Sequence, residues 1–173
     1  RRAALAVRWE TFGAQPGGVG VEQEYGWKEQ EQLLVAMLTR RTHSPITTSM
    51  GRLFDAVASM LGLCQVATFE GQAAMVLEQA AMRASASIQR KDEAYPIALN
   101  AEGSGLPRWI ADWRPMIERI VDELSRATER SLIAYRFHRA LAELIGQMAE
   151  RVGLRQVVLT GGCFQNALLV DLA

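Results

Sequence analysis

Three short stretches set glycine beside side chains able to hold a ligand. In Gly51-Arg52-Leu53-Phe54-Asp55, Gly51 and Asp55 stand one helical turn apart and share a face. That face borders an apolar stripe and continues through Ser59. Glycine inside a helix costs about 1 kcal/mol relative to alanine, and close approach of a ligand or another backbone is one reason to accept that cost. Asp55 then offers a carboxylate suited to a ribose hydroxyl or a metal-bound water, with Arg52 beside it. The alternative is tight helix packing at Gly51 and an ion pair between Asp55 and a nearby arginine. The second stretch, Phe69-Glu70-Gly71-Gln72, precedes a helix. Backbone N–H groups there are unpaired and the dipole favours anions or polar ligand groups. Gly71 admits a ligand close to the main chain, or Glu70 merely stabilises an ordinary helix start. The third stretch is Val157-Val158-Leu159-Thr160-Gly161-Gly162-Cys163-Phe164-Gln165-Asn166. It reads as a strand, two glycines and a helix start, the position at which α/β folds bind ligands. Gly161 and Gly162 let a base or phosphate touch the backbone. Asn166 caps the helix or reaches a ligand. The stretch is neither a P-loop nor the three-glycine dinucleotide fingerprint.

The other candidates are weaker. His43 precedes a loop. His138 lies in an apolar segment of a long helix and reads as packed or capped rather than as a ligand. No second histidine stands at a metal-ligand offset, so no metal ligand is assigned. Cys163 near a helix start could be a nucleophile, but with no histidine nearby in sequence it reads as a small buried side chain. No catalytic residue is assigned.

The elements that must position these stretches are mostly helical. Helices are expected over 1–13, ending at Gly13, and over 28–41, with Leu34, Met37 and Leu38 on one face. Gln15 to Gly20 reads as loop. Ser49 is placed to cap a helix whose stripe is Met50, Leu53, Phe54, Val57 and Leu61, stopped at Gly62. A helix over 71–84 turns Ala73, Leu77, Ala80, Ala81 and Ala84 inward. Tyr95 to Leu99 is a strand candidate, and 100–107 a loop. Pro115 opens a helix carrying Ile117, Ile120, Val121 and Leu124. A long helix over about 129–152 buries Ile133, Phe137, Leu141, Leu144 and Met148 and closes at Gly153. Gln156 to Thr160 is the β-rich run.

The 173 residues suit one domain or most of one. A hydrophobic fraction of 49% excludes disorder. Lys+Arg and Asp+Glu both number 19, so nothing favours nucleic acid or an anionic membrane. The longest apolar run, Leu33 to Leu38, is far short of the roughly 20 residues that span a bilayer. The N-terminal apolar piece is too short for a signal peptide and is interrupted by Arg8. The sequence starts without methionine and stops within a helical pattern, which reads as part of a longer chain. Cys64 and Cys163 form no disulfide framework, so a cytoplasmic home is expected.

Taken together, Ser49 to Ala58, Phe69 to Met75 and Thr160 to Asn166 resemble, in order and spacing, the C-terminal half of the HypF family, carbamoyltransferases of [NiFe]-hydrogenase maturation. Phe137-His138 followed by Ala140-Leu141-Ala142 is similar to that family's long helix. The resemblance covers 1–173, with its specificity in 49–77 and 155–170. It implies a partial TsaD-like domain, an α/β, helix-dominated member of the actin-like ATPase (ASKHA) superfamily. It implies that ATP and carbamoyl phosphate yield carbamoyl adenylate, with Mg2+, in a separate upstream domain. This domain would pass the carbamoyl group to the C-terminal cysteine of a HypE partner, for dehydration to the source of cyanide ligands. It implies nucleotide contacts from Asp55 to the ribose, from Gly71 to the nucleoside, from Gly161 and Gly162 to adenosine and from Asn166 toward the phosphates, with Gly51, Arg52 and Glu70 in support. The family's divalent-metal ligands, a His pair upstream and an Asp-Gly-Gly aspartate downstream, have no match here. Its phosphate loop and zinc-finger domains are also absent, so the chain alone is expected not to turn over.

Rival readings remain. Small-molecule O-carbamoyltransferases and tRNA threonylcarbamoyl transferases share the Gly-Gly-to-Asn turn, though zero net charge disfavours the tRNA acceptor. A sugar kinase would need a catalytic aspartate that this stretch lacks. A non-catalytic docking module with amphipathic helices is the remaining alternative; it gains if Asp55 and Asn166 are both buried in internal ion pairs or caps with no cleft beside them.

Overall fold

The computed structural model describes residues 1–13, 28–85, 94–102, 108–153 and 155–173. Seven helices and one hairpin are present among them: α1 Arg2–Phe12, α2 Lys28–Thr39, α3 Met50–Met60, α4 Gln72–Ser85, β1 Ala98–Glu102, β2 Arg108–Asp112, α5 Arg114–Ser125, α6 Arg130–Val152 and α7 Ala167–Leu172. A short 3-10 turn, Gly162–Gln165, precedes α7. The expected loop at Gln15–Gly20 lies outside the described residues.

Helical periodicity sorts the side chains as anticipated. On α3 the stripe of Leu53, Phe54, Val57 and Leu61 is buried and Met50 lies at its edge. On α4, Ala73, Leu77, Ala80, Ala81 and Ala84 are all buried. The small alanines let α4 lie along α6, whose Ile133, Phe137, Leu141 and Leu144 fill the other side, with Met148 half-buried. Helix α3 bridges α1 and α4, and α7 rests on α6. Helix α5 closes the core with Met116, Ile117 and Ile120, and a proline sits in its first turn. Fully burying such aliphatic side chains stabilises by roughly 1.5–3 kcal/mol each.

The glycine stops read from the sequence close their helices, whereas the N-cap reading at Ser49 does not hold. At the end of α3, Gly62 (φ 70°) donates to the Ser59 carbonyl at 3.0 Å and Leu63 N–H to the Ala58 carbonyl at 2.9 Å. That pair of bonds is the left-handed stop which glycine permits. Gly153 (φ 71°) closes α6 likewise. Ser49 occupies the cap position of α3, but its hydroxyl makes no capping bond.

The β elements differ from expectation. The first strand starts at Ala98 rather than Tyr95, because Pro96 has no N–H to donate and Tyr95 is buried, its hydroxyl giving a 2.6 Å bond to Glu123. Asn100 to Glu102, read as loop, are strand. They pair antiparallel with β2, which the sequence did not announce, in the register Ala98↔Asp112 and Asn100↔Ile110. The remainder of that loop, 103–107, lies outside the described residues. The run Gln156 to Thr160 is not a strand, for it has no ladder partner among the described residues. Val157 and Val158 are 52% and 85% exposed. Among the described residues no helix is long and apolar enough to cross a membrane.

Candidate functional site

The three glycine-bearing stretches come to the surface with open space before them. Gly71 (φ 82°), Gly161 (φ 104°) and Gly162 are exposed, and a Cβ on any of them would meet nothing within 4 Å. Gly51 is exposed too, its nearest neighbour to a Cβ being Ser49 Oγ at 3.6 Å. Tight helix packing among the described residues therefore does not account for Gly51. Gly71 also caps α4 with its carbonyl, which accepts from Met75 N–H at 3.0 Å. The loop before it is tied down by Gln72, whose Oε1 accepts from Thr68 N–H at 2.7 Å and from its hydroxyl at 3.2 Å. Glu70 is exposed on that loop.

Asp55 is half-buried and pairs with Arg52 at 2.9 Å. Arg52 is 69% exposed, so the pair contributes less than about 1 kcal/mol and leaves the carboxylate accessible. Ser59, read as continuing the Asp55 face, turns inward instead and donates to Gln65 Oε1 at 3.0 Å. His43 is exposed, away from any cluster of ligating groups, and Cys163 is half-buried against the core.

Asn166 is 6% exposed, and its side chain is engaged within the protein. Its Oδ1 accepts from Leu169 N–H at 2.8 Å, capping α7, and its Nδ2 donates to His138 Nε2 at 3.0 Å. His138 lies on α6, fully buried, with Nδ1 2.7 Å from the Ala134 carbonyl. A carbonyl only accepts, so Nδ1 carries the proton and Nε2 is a bare acceptor. Burial pushes the imidazole below its ordinary pKa of 6.5, outweighing the Ala134 carbonyl and the Glu78 charge, which act the other way. The ring packs edge-on against Phe54 of α3 at 5.5 Å and Phe137 at 5.6 Å. Beside this, Glu78 of α4 accepts from Leu168 N–H at 3.1 Å. The Asn166–His138 contact is a buried polar knot that ties the start of α7 to α6; the part-buried Glu78 ties it to α4, and Phe54 of α3 packs on the ring. Sequence reading saw that His138 was packed but missed its partner, and missed Glu78 altogether. A histidine on the inward face of an apolar helix was the signal that a buried hydrogen-bond partner existed.

Among the described residues no three His, Cys, Asp or Glu converge. A concavity of about 340 Å³ lies elsewhere, between Tyr95, Ile97, Pro115 and the Ala140–Gln147 face of α6, and contains none of the glycine-stretch residues.

Known proteins carry the same arrangement of sequence. The family described as carbamoyltransferase, Kae1-like domain, second subdomain, matches residues 1–173. The chain belongs to this HypF-type carbamoyltransferase family. It is similar to the carbamoyltransferase HypF of Synechocystis sp., 38% identical over 98% of this chain and 22% of that protein. It is similar to HypF of Rhizobium leguminosarum, 32% identical over 89% of this chain and 18% of the relative. A crystal structure of full-length HypF in the phosphate- and nucleotide-bound form superposes with a TM-score of 0.76 at 28% identity, covering 98% of this chain and 25% of that one. The chain therefore spans about a quarter or less of the length of each of these three proteins. Its fold is that of the Kae1-like domain, helix-dominated with a small sheet, as the HypF resemblance implied.

Proposed function

We propose that this chain forms one wall of the site at which a HypF-type carbamoyltransferase holds carbamoyl adenylate. The observation that carries this reading is the exposed glycine backbone at Gly71, Gly161 and Gly162, open to close approach, with the chain just after the Gly161–Gly162 turn tied to α6 through Asn166–His138 and to α4 through Leu168–Glu78. The nucleotide named for the structural relative supports it. Asp55 would accept from the ribose hydroxyls, with Arg52 and Glu70 at the rim and Gly51 leaving room above the helix. Asn166 would act through its backbone and the turn it fixes, because its side chain is committed to Leu169 and His138.

In the transfer, the thiolate of the C-terminal cysteine of HypE attacks the carbamoyl carbon. The thiol proton has passed to solvent before the attack; an S–C bond then forms, the C–O bond to phosphate breaks, and AMP leaves with the electron pair. The wall contributes orientation of the adenylate, and no general base is assigned within it. This reading places the protein in the cytoplasm and in hydrogenase maturation. Other acceptors, small-molecule hydroxyls or tRNA, would use the same wall. One rival is a docking module without nucleotide; the Asn166 side chain is engaged internally, as that rival requires, whereas Asp55 pairs only with the exposed Arg52 and stays accessible. Calorimetric titration of Mg-ATP and ADP decides between them. Saturable binding weakened at least tenfold by Asp55→Ala and by Gly162→Val, with unchanged folding, supports the wall. Binding unaffected by both, or no binding in the full-length protein, overturns it.

A further inference from the structure

The buried knot has only one consistent pattern of protons. Were the Asn166 amide turned over, its Nδ2 would face Leu169 N–H, donor against donor, and its Oδ1 would face His138 Nε2. A proton on Nε2 could repair the second contact. A neutral ring would then have a bare Nδ1 opposed to the Ala134 carbonyl at 2.7 Å. A doubly protonated ring would satisfy Ala134 and Oδ1 but leave Leu169 N–H without its cap. A neutral imidazole protonated at Nδ1 is therefore the only form compatible with all three contacts.

We propose that His138 is the positioning residue of the Gly161–Asn166 turn, its neutral ring fixing the Asn166 amide in the orientation that caps α7 and holds the two glycines in place. This rests on the adenylate-wall reading for its functional consequence, but the geometry stands without it. The groups facing the ring are the Ala134 carbonyl on α6, Asn166 before α7, Phe54 on α3 and the Glu78 carboxylate on α4. Glu78 is the only charged group among them. It also holds Leu168 N–H, so of the amides at the start of α7 one is satisfied from α4 and the next by the helix's own cap, Asn166.

Two variants separate hydrogen bonding from packing. His138→Phe keeps an aromatic ring against Phe54 and Phe137 and removes the acceptor. His138→Gln keeps an acceptor near the Nε2 position and removes the ring. Histidine-selective 15N spectra of the chain, hydrogen exchange at Leu169 and Mg-ATP titration are the readouts. The expected results are a bare Nε2 at pH 8, faster exchange of the Leu169 amide in His138→Phe, and nucleotide affinity lowered about tenfold, the worth of one hydrogen bond. His138→Gln should restore most of both. A protonated Nε2 at pH 8, Leu169 protection unchanged in His138→Phe, or a His138→Gln variant no better than His138→Phe would each overturn the proposal. If wild type binds no nucleotide, the adenylate wall fails by itself, while the ring tautomer and Leu169 exchange still decide the role of His138.

Discussion

Alanine at Gly51 and alanine at Gly62, the glycines at the two ends of α3, are expected to move stability in opposite directions. Gly51 has ordinary helical φ and is exposed, and a Cβ there would meet only Ser49 Oγ at 3.6 Å, a normal contact. Alanine gains helix propensity and narrows the unfolded ensemble, so Gly51→Ala should stabilise by about 0.5–1 kcal/mol. Gly62 has φ 70°, and a Cβ there would lie 3.1 Å from Arg130 Nη1. The left-handed conformation costs an L-residue about 1–2 kcal/mol, and the guanidinium must also shift. The two variants should therefore differ by about 2 kcal/mol, or roughly 4–8 °C in Tm for a chain of this size. Urea unfolding followed by far-UV circular dichroism, with thermal melts alongside, measures both. A destabilising Gly51→Ala would refute the reasoning, because it would mean that the chain itself crowds that face. A neutral Gly62→Ala would refute the left-handed stop. A Gly51→Ala protein that is more stable yet binds nucleotide less well would locate the reason for glycine in the ligand rather than in the fold.

Three further outcomes follow from the core and the knot. His138 is held neutral in the folded protein and has a lowered pKa, so the unfolded chain binds the extra proton first; stability should be level above pH 6.5 and fall below it, by at most about 1.4 kcal/mol per pH unit from this group. Unfolding midpoints between pH 5 and 8 check this, and His138→Phe should flatten the slope. Leu77→Ala removes a fully buried side chain between α4 and α6 and should cost about 2–5 kcal/mol in urea titration. Asp55→Asn should change stability by less than about 1 kcal/mol, since Arg52 is mostly solvent-exposed, while lowering nucleotide affinity in the same preparation.

The helices were legible because each carries its burial pattern in its own sequence. The spacing of Leu53, Phe54, Val57 and Leu61, the alanines of α4 and the stops at Gly62 and Gly153 need no distant partner to be read. Strands do need one. The hairpin pairs two five-residue strands across a connection; the sequence pointed to the first only through Tyr95 to Leu99, displaced by three residues, and to the second not at all. Gln156 to Thr160 has the composition of a strand without a ladder among the described residues. For the site, glycine position and exposure were readable, but the anchoring was not. Asn166 is 28 residues from His138, and Glu78 is 90 from Leu168, and such pairings become visible only when the chain is folded.

The unladdered run also governs how this chain behaves in a concentrated solution. Gln156-Val157-Val158-Leu159-Thr160 has no charge and no proline, and its valines are bare. A stretch of this kind is a template for strand pairing between molecules. With a net charge of zero and a pI near 7.0, neutral buffer supplies no general repulsion to oppose it. Intermolecular strand pairing through this run is therefore the expected limit on the solubility of the chain near pH 7. Moving the buffer away from neutrality, or placing a single positive charge through Val158→Lys, supplies the repulsion that the sequence leaves out.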